Sequence, residues 1–219
     1  MNHSAAKQQI VHEILPVGLL QCNCSVIGDT KTGECMVIDP GAEVQKLLEV
    51  IERHGFKVKQ IVITHGHIDH VAGAMQLKRL TGAPILMNKN DSEQLKLLDI
   101  QAAWIGIPSP GAVTIDQSVA SGDVLKAGDL EASVMHTPGH TEGSSCLYFQ
   151  REKKLIAGDT LFAGSIGRTD LPGGDFKKML SSLHNTLLTL PDETEVVPGH
   201  GPITSIGRER VANPFLVSR

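Results

Sequence analysis

Seven consecutive residues, Thr64-His65-Gly66-His67-Ile68-Asp69-His70, set three imidazoles and a carboxylate directly behind the apolar run Ile61-Val62-Ile63. Three later segments repeat that arrangement. Ser133-Val134-Met135 leads through His136-Thr137-Pro138-Gly139 to His140, Leu155-Ile156-Ala157-Gly158 leads to Asp159, and Val196-Val197-Pro198-Gly199 leads to His200. Each time a short strand-like stretch ends in a turn and then presents a metal-ligating side chain. Ligands of α/β sheets gather beyond strand ends at one edge, so these four ends are expected to converge on one pocket. Glycine and proline beside each ligand suit tight turns that let the backbone approach closely.

The ligand count then limits what the pocket holds. His65, His67, Asp69, His70, His140, Asp159 and His200 make seven candidates. A catalytic zinc takes about three protein ligands and keeps one position for water. Seven ligands suit two ions, with His65, His67 and His140 on one and Asp69, His70 and His200 on the other. Asp159 bridges them, and a hydroxide between the ions completes both shells. Two ions about 3.5–4 Å apart acidify that water and offset charge on the attacked and leaving atoms. Taken singly, His140 or His200 reads equally well as a buried histidine satisfied by hydrogen bonds; the ensemble carries the argument. His3, His12, His54 and His184 lie outside the pattern and read as surface or helix-face residues. His136 precedes His140 by four, but Pro138-Gly139 breaks any helix that would pair them, so His136 is left out of the ligand set.

Composition narrows the function classes. Of 219 residues, 24 are acidic and 20 basic, for a formal charge of -4, which excludes a strongly basic nucleic-acid binder. Aromatics at 3% leave little for base-stacking platforms. No nucleic-acid partner is therefore expected. The N-terminus lacks the apolar stretch of a secretory signal, and no run approaches the roughly 20 apolar residues that span a bilayer. Cys22, Cys24, Cys35 and Cys146 form no CxxC pair and read as buried strand residues. A cytoplasmic chain with reduced thiols is expected, with no membrane partner.

Apolar runs Ile10 to Val17, Cys22 to Ile27 and Cys35 to Ile38, separated by turn residues, read as antiparallel strands. Val44, Leu47, Leu48 and Ile51 at i, i+3, i+4 and i+7 predict a helix, and a second helix carries Val71, Ala74 and Met75. A third spans about four turns, with Asp175 as N-cap, Phe176, Met179, Leu180, Leu183, Leu187 and Leu190 on one face, and Pro191 as its stop. Residues 99–118 read as a connection bordering the site. Interleaved strands and helices give an α/β class in one domain.

THGHIDH, TPGHT, AGDTLF and PGHG, in this order and at these intervals, resemble the metallo-β-lactamase superfamily, over nearly the whole chain from Val26. The resemblance implies a four-layer αβ/βα sandwich, two mixed β-sheets flanked by helices, with a dinuclear site at one edge. Asp159, and a histidine directly after Asp69, resemble the glyoxalase II (hydroxyacylglutathione hydrolase) branch. GSIGRTDLPGGD and PGHGPITSIGRERVANPFL are similar to its short, single-domain members. Hydrolysis of a small-molecule thioester such as S-D-lactoylglutathione follows as an expectation, with two divalent cations, zinc first and iron or manganese as alternatives. Only nineteen residues follow His200, too few for the C-terminal helical domain through which two-domain members bind glutathione.

In the implied mechanism the bridging hydroxide attacks the thioester carbonyl, with Asp69 and Asp159 as the catalytic carboxylates. Arg168 is a candidate for holding a substrate carboxylate, or else pairs with Asp170 or Asp175. Lys177, Lys178, Arg208 and Arg210 read as solvated charges, and Trp104 as a core indole first and a pocket-bordering residue second. TPGHT and GRTD also resemble persulfide dioxygenases, which would hold one iron on His65, His140 and Asp159 and act on glutathione persulfide.

Overall fold

A computed structural model describes residues 10–217, and His3 lies outside the described residues. The described residues open with β1 (Ile10–Val17), β2 (Cys22–Asp29) and β3 (Glu34–Ile38), paired antiparallel as the sequence predicts. Then come α1 (Val44–Arg53), β4 (Lys57–Ile63), α2 (Ile68–Val71), α3 (Ala74–Thr81) and β5 (Ile85–Met87). Two short helices, α4 (Ser92–Leu95) and α5 (Leu98–Ile105), precede the edge strand β6 (Gln117–Ser118). These six strands form one sheet in chain order, with β3 to β6 parallel.

The second half supplies β7 (Val124–Ala127), β8 (Leu130–His136), β9 (Ser145–Phe149) and β10 (Lys154–Gly158). A small hairpin, β11 (Leu161–Phe162) and β12 (Ser165–Ile166), leads to α6 (Phe176–Asn185), β13 (Glu195–Pro198), β14 (Thr204–Ser205) and α7 (Ile206–Ala212). The second sheet runs β14-β13-β10-β9-β8-β7, with β10 and β13 parallel and the other pairs antiparallel.

Side-chain alternation along the strands generates the layers. On β3, Met36 and Ile38 point between the sheets and meet Leu130, Val134 and Phe149, while Cys35 and Val37 face the helices. Likewise Ile156 on β10 joins the inter-sheet core, whereas Leu155 and Ala157 pack with Met179 and Leu183 of α6. Strands buried on both faces read as continuous apolar runs, hence Ile61-Val62-Ile63. The result is helices, sheet, sheet, helices: the four-layer αβ/βα sandwich expected from the motifs.

Three local expectations change. The helix predicted around Val71 is two helices. Gly73 sits so close to Pro40 that a Cβ there would lie 2.5 Å from the Pro40 carbonyl oxygen, and its N–H donates to that oxygen at 2.8 Å. The four-turn helix stops at Asn185, followed by a 3-10 turn over Leu187–Thr189; the apolar period outlasts the helix because Leu187 and Leu190 stay buried. Asp175 is its N-cap, accepting from the Lys178 N–H at 3.0 Å. The connection 99–118 begins as α5, which ends at left-handed Gly106.

The four cysteines are free and buried, and burial pushes the Cys22 and Cys35 thiols up to about 12 and Cys146 to about 11. His12 is no surface residue: it sits in β1, its Nε2 2.9 Å from the Ser25 hydroxyl. Arg210 is also more than a solvated charge, since it donates to the carbonyls of Leu188 and Leu190. No described helix is long and apolar enough to cross a membrane.

Candidate metal centre

The ends of β4, β8, β10 and β13 meet at one edge of the sandwich, so the first sheet contributes His65 to His70 and the second contributes His140, Asp159 and His200. All seven predicted ligands come together there. Three groups have ligand atoms within 4.8 Å of one another: His65, His67 and His140; His65, His70 and Asp159; and Asp69, His70 and His200.

In the first group, His67 Nδ1 lies 3.1 Å from His65 Nε2 and 2.9 Å from His140 Nε2. Zinc–nitrogen bonds of about 2.0–2.1 Å put neighbouring tetrahedral ligands about 3.3–3.4 Å apart, close to these spacings. In the third group, Asp69 Oδ2 is 3.0 Å from His200 Nε2 and 3.6 Å from His70 Nε2. Asp159 stands between the two. Its Oδ1 is 3.5 Å from His70 Nε2, and its Oδ2 is 3.5 Å from His140 Nε2 and 3.8 Å from His200 Nε2.

Charge and hydrogen bonding suit a bound cation. His70 Nε2 and Asp159 Oδ1 are buried without a hydrogen-bond partner, a costly state for polar atoms that a shared cation removes. Burial, then the neighbouring imidazoles of His70 and His140, holds His65 well below the usual histidine range. Burial and His140 push His67 down to about 3. Both therefore present neutral lone pairs, as a metal ligand must. Burial works against charge on His200, yet Asp69 and Asp159 raise its pKa. Burial likewise works against ionised Asp69, but His70 and His200 outweigh it and lower that pKa.

Partners behind the ligands fix their orientation, and the motif reading missed them. Asp39 Oδ2 lies 2.9 Å from His70 Nδ1, and Asp39 also accepts from the Thr64 N–H and hydroxyl, both at 2.7 Å. The sequence carries a signal for it, since Val37-Ile38 leads to Asp39-Pro40-Gly41 in the pattern of the other strand ends, although Asp-Pro-Gly is also ordinary turn chemistry. Asp91 accepts from the Gly66 N–H at 2.8 Å, the Gly143 N–H at 2.5 Å and the Thr141 hydroxyl at 2.7 Å. It thus ties the loop bearing His65 and His67 to the loop bearing His140, and no local pattern announces it. His140 Nδ1 donates to the carbonyl of Arg168 and His200 Nδ1 to that of Leu20. Gly199 is required by crowding, because a Cβ there would lie 2.1 Å from Asp159 Oδ1.

A pocket of about 480 Å³ opens over the centre, reached by His67, Asp69, His140, Asp159 and His200. Arg168 borders it, but its guanidinium pairs bidentately with Asp170 at 2.8 and 2.9 Å. Trp104, expected first in the core, is 70% exposed and lines the pocket. His136 stays outside the ligand groups, its Nε2 2.8 Å from the Glu142 carbonyl oxygen.

The family model described as the metallo-beta-lactamase superfamily matches residues 17–200. Among relatives, hydroxyacylglutathione hydrolase GloC of Haemophilus influenzae is 40% identical over 209 residues, covering 94% of this chain and 98% of that protein. The crystal structure of the B3 metallo-beta-lactamase BLEG-1 superposes with a TM-score of 0.88 at 35% identity, over 95% of this chain and 100% of the other. TTHA1623, solved in a di-iron-bound form, gives 0.86 at 35% identity, over 93% and 100%.

Proposed function

The chain belongs to the metallo-beta-lactamase superfamily, and we propose that it is a metal-dependent hydrolase that cleaves a thioester, with hydroxyacylglutathiones such as S-D-lactoylglutathione as the first substrates to test. The observation carrying this reading is Asp159 standing between two triads, one of three imidazoles and one of Asp69, His70 and His200. The GloC relative supports the thioester, and the di-iron form of a neighbour supports a centre able to take two ions.

His65, His67 and His140 would hold one divalent cation, Asp69, His70 and His200 the other, and Asp159 both. Zinc is the first expectation, with iron or manganese as alternatives. Bound there, such ions supply a Lewis acid for the carbonyl oxygen and a water acidic enough to attack at neutral pH. Asp69 and Asp159 would orient the attacking water, whose proton ends on the thiolate released when the carbon–sulfur bond breaks. His65 and His67, kept neutral by burial, take no proton from the reaction. Asp39 and the carbonyls of Leu20 and Arg168 hold the rings of His70, His200 and His140 in place. Cys22 and Cys146 are protonated and buried, so neither serves as a nucleophile.

The alternative, a one-iron persulfide dioxygenase on His65, His140 and Asp159, leaves Asp69, His70 and His200 without a task. Metal-replete protein assayed with S-D-lactoylglutathione and with non-glutathione thioesters, beside oxygen uptake on glutathione persulfide, separates the two. Thioester hydrolysis without oxygen uptake is the expected result. Oxygen uptake with no thioester turnover overturns the reading.

A further inference from the structure

The pocket over the centre is predominantly apolar. Apart from the ligand residues, Ile100, Trp104, Leu171 and Pro172 carry most of its wall; the polar members are Arg168 and the buried Gln94 and Gln101, and the two amides are engaged with the Pro172 carbonyl and the Ile68 N–H. Ile100 and Trp104 belong to the outward face of α5, where they are 48% and 70% exposed. A short helix with its other face already buried through Leu98 and Ala102 gains nothing for folding from a second apolar face. Large exposed apolar side chains gathered beside a catalytic cleft mark a ligand surface.

The charge inventory points the same way. Arg168 is the single Lys or Arg of the lining, and both arms of its fork that face Asp170 are engaged there. Glutathione carries two carboxylates and an ammonium, and a charged group entering an apolar wall without a partner is disfavoured. A lactoyl group, with three carbons, also falls well short of filling about 480 Å³. The remaining volume leaves room for the leaving-group arm of a thioester.

We propose that this pocket selects thioesters whose leaving-group arm is apolar and uncharged, gripped between Trp104 and Ile100 on α5 and Leu171-Pro172 opposite. This deepens the thioesterase reading and rests on it for the word thioester, but the pocket's preference is measurable by binding alone. Burying one methylene is worth about fourfold in affinity. Trp104 is the sole tryptophan of the chain, so its fluorescence reports on the pocket directly.

The test titrates metal-replete full-length protein with N-butyl, N-hexyl and N-octyl lactamide and with S-methylglutathione, following Trp104 emission. Affinity is expected to rise about fifteenfold per two methylenes up to the hexyl probe, with S-methylglutathione binding at least tenfold more weakly than the hexyl compound. Ile100→Asp, an exposed position that keeps the reporter, is expected to weaken the hexyl probe tenfold or more with an unchanged circular dichroism spectrum. Affinities independent of chain length, or S-methylglutathione binding as tightly as the hexyl probe, overturn the proposal. Those outcomes would leave thioester hydrolysis standing, whereas failure of every thioester to turn over with the chain-length series intact would defeat the hydrolase reading instead.

Discussion

Asp39 Oδ2 and His70 Nδ1 lie 2.9 Å apart with both side chains closed to solvent. The carboxylate takes the ring's outer nitrogen, which leaves Nε2 turned toward Asp69 and Asp159. A carboxylate behind a ligating histidine fixes its tautomer and strengthens it as a ligand, and losing such a partner typically weakens metal affinity about 10- to 100-fold. Asp39→Asn is therefore expected to lower affinity for zinc by that factor, measured by competition with a chromogenic chelator, while excess zinc restores turnover. Unchanged affinity would show that Asp39 braces the Thr64 turn and nothing more.

Asp91 predicts a different kind of loss. Asp91→Ala leaves the Gly66 and Gly143 N–H groups without their acceptor in a buried setting, while the Thr141 hydroxyl keeps the Ser144 hydroxyl at 2.7 Å. Each orphaned donor costs about 1–3 kcal/mol, so urea unfolding of the metal-free protein should show a loss of about 2 kcal/mol or more. Because Asp91 joins the two loops that carry His65, His67 and His140, zinc affinity should fall with it. A fully stable variant would contradict its role as the tie between those loops.

The site was more legible than the fold around it. Ligands at strand ends are announced by an apolar run, a Gly or Pro turn and a chemically distinct side chain, and His65 to His70, His140, Asp159 and His200 all carry that signature. Asp39 carries it too, but Asp-Pro-Gly is also common turn chemistry, and sequence alone does not separate the two. Asp91 and the Leu20 and Arg168 carbonyls act through tertiary contact, which leaves no local mark. Trp104 takes the second of its two readings, the pocket border, because α5 buries Leu98 and Ala102 on its other side, and that choice of face is visible only in the fold. The helix from Phe176 overran for the related reason that Leu187 and Leu190 are buried by packing, not by helical geometry.

His12 gives the protein an acid-sensitive point remote from the metal centre. Burial first, and Lys154 second, push its pKa down from 6.5 to about 4, and its Nδ1 is buried without a partner. The fold thus prefers the neutral ring. Between pH 6.5 and about 4 the unfolded chain binds a proton that the folded chain refuses, so stability is fully present above the upper limit and is lost as pH falls. The slope is about 1.4 kcal/mol per pH unit, or about 3 kcal/mol across the window. Denaturant unfolding of wild type and His12→Gln at pH 7, 6 and 5 should show the gap between them narrowing or reversing in favour of the variant as the pH drops. Parallel pH profiles would remove His12 as the cause.

The account stands most directly on how many cations the metal-free chain takes up. Calorimetric titration with zinc should show two equivalents bound per chain, and His200→Ala, which leaves the three-imidazole group intact, should retain one. Saturation of the wild-type chain at a single equivalent, with His200→Ala unchanged, would contradict a centre shared by two ions.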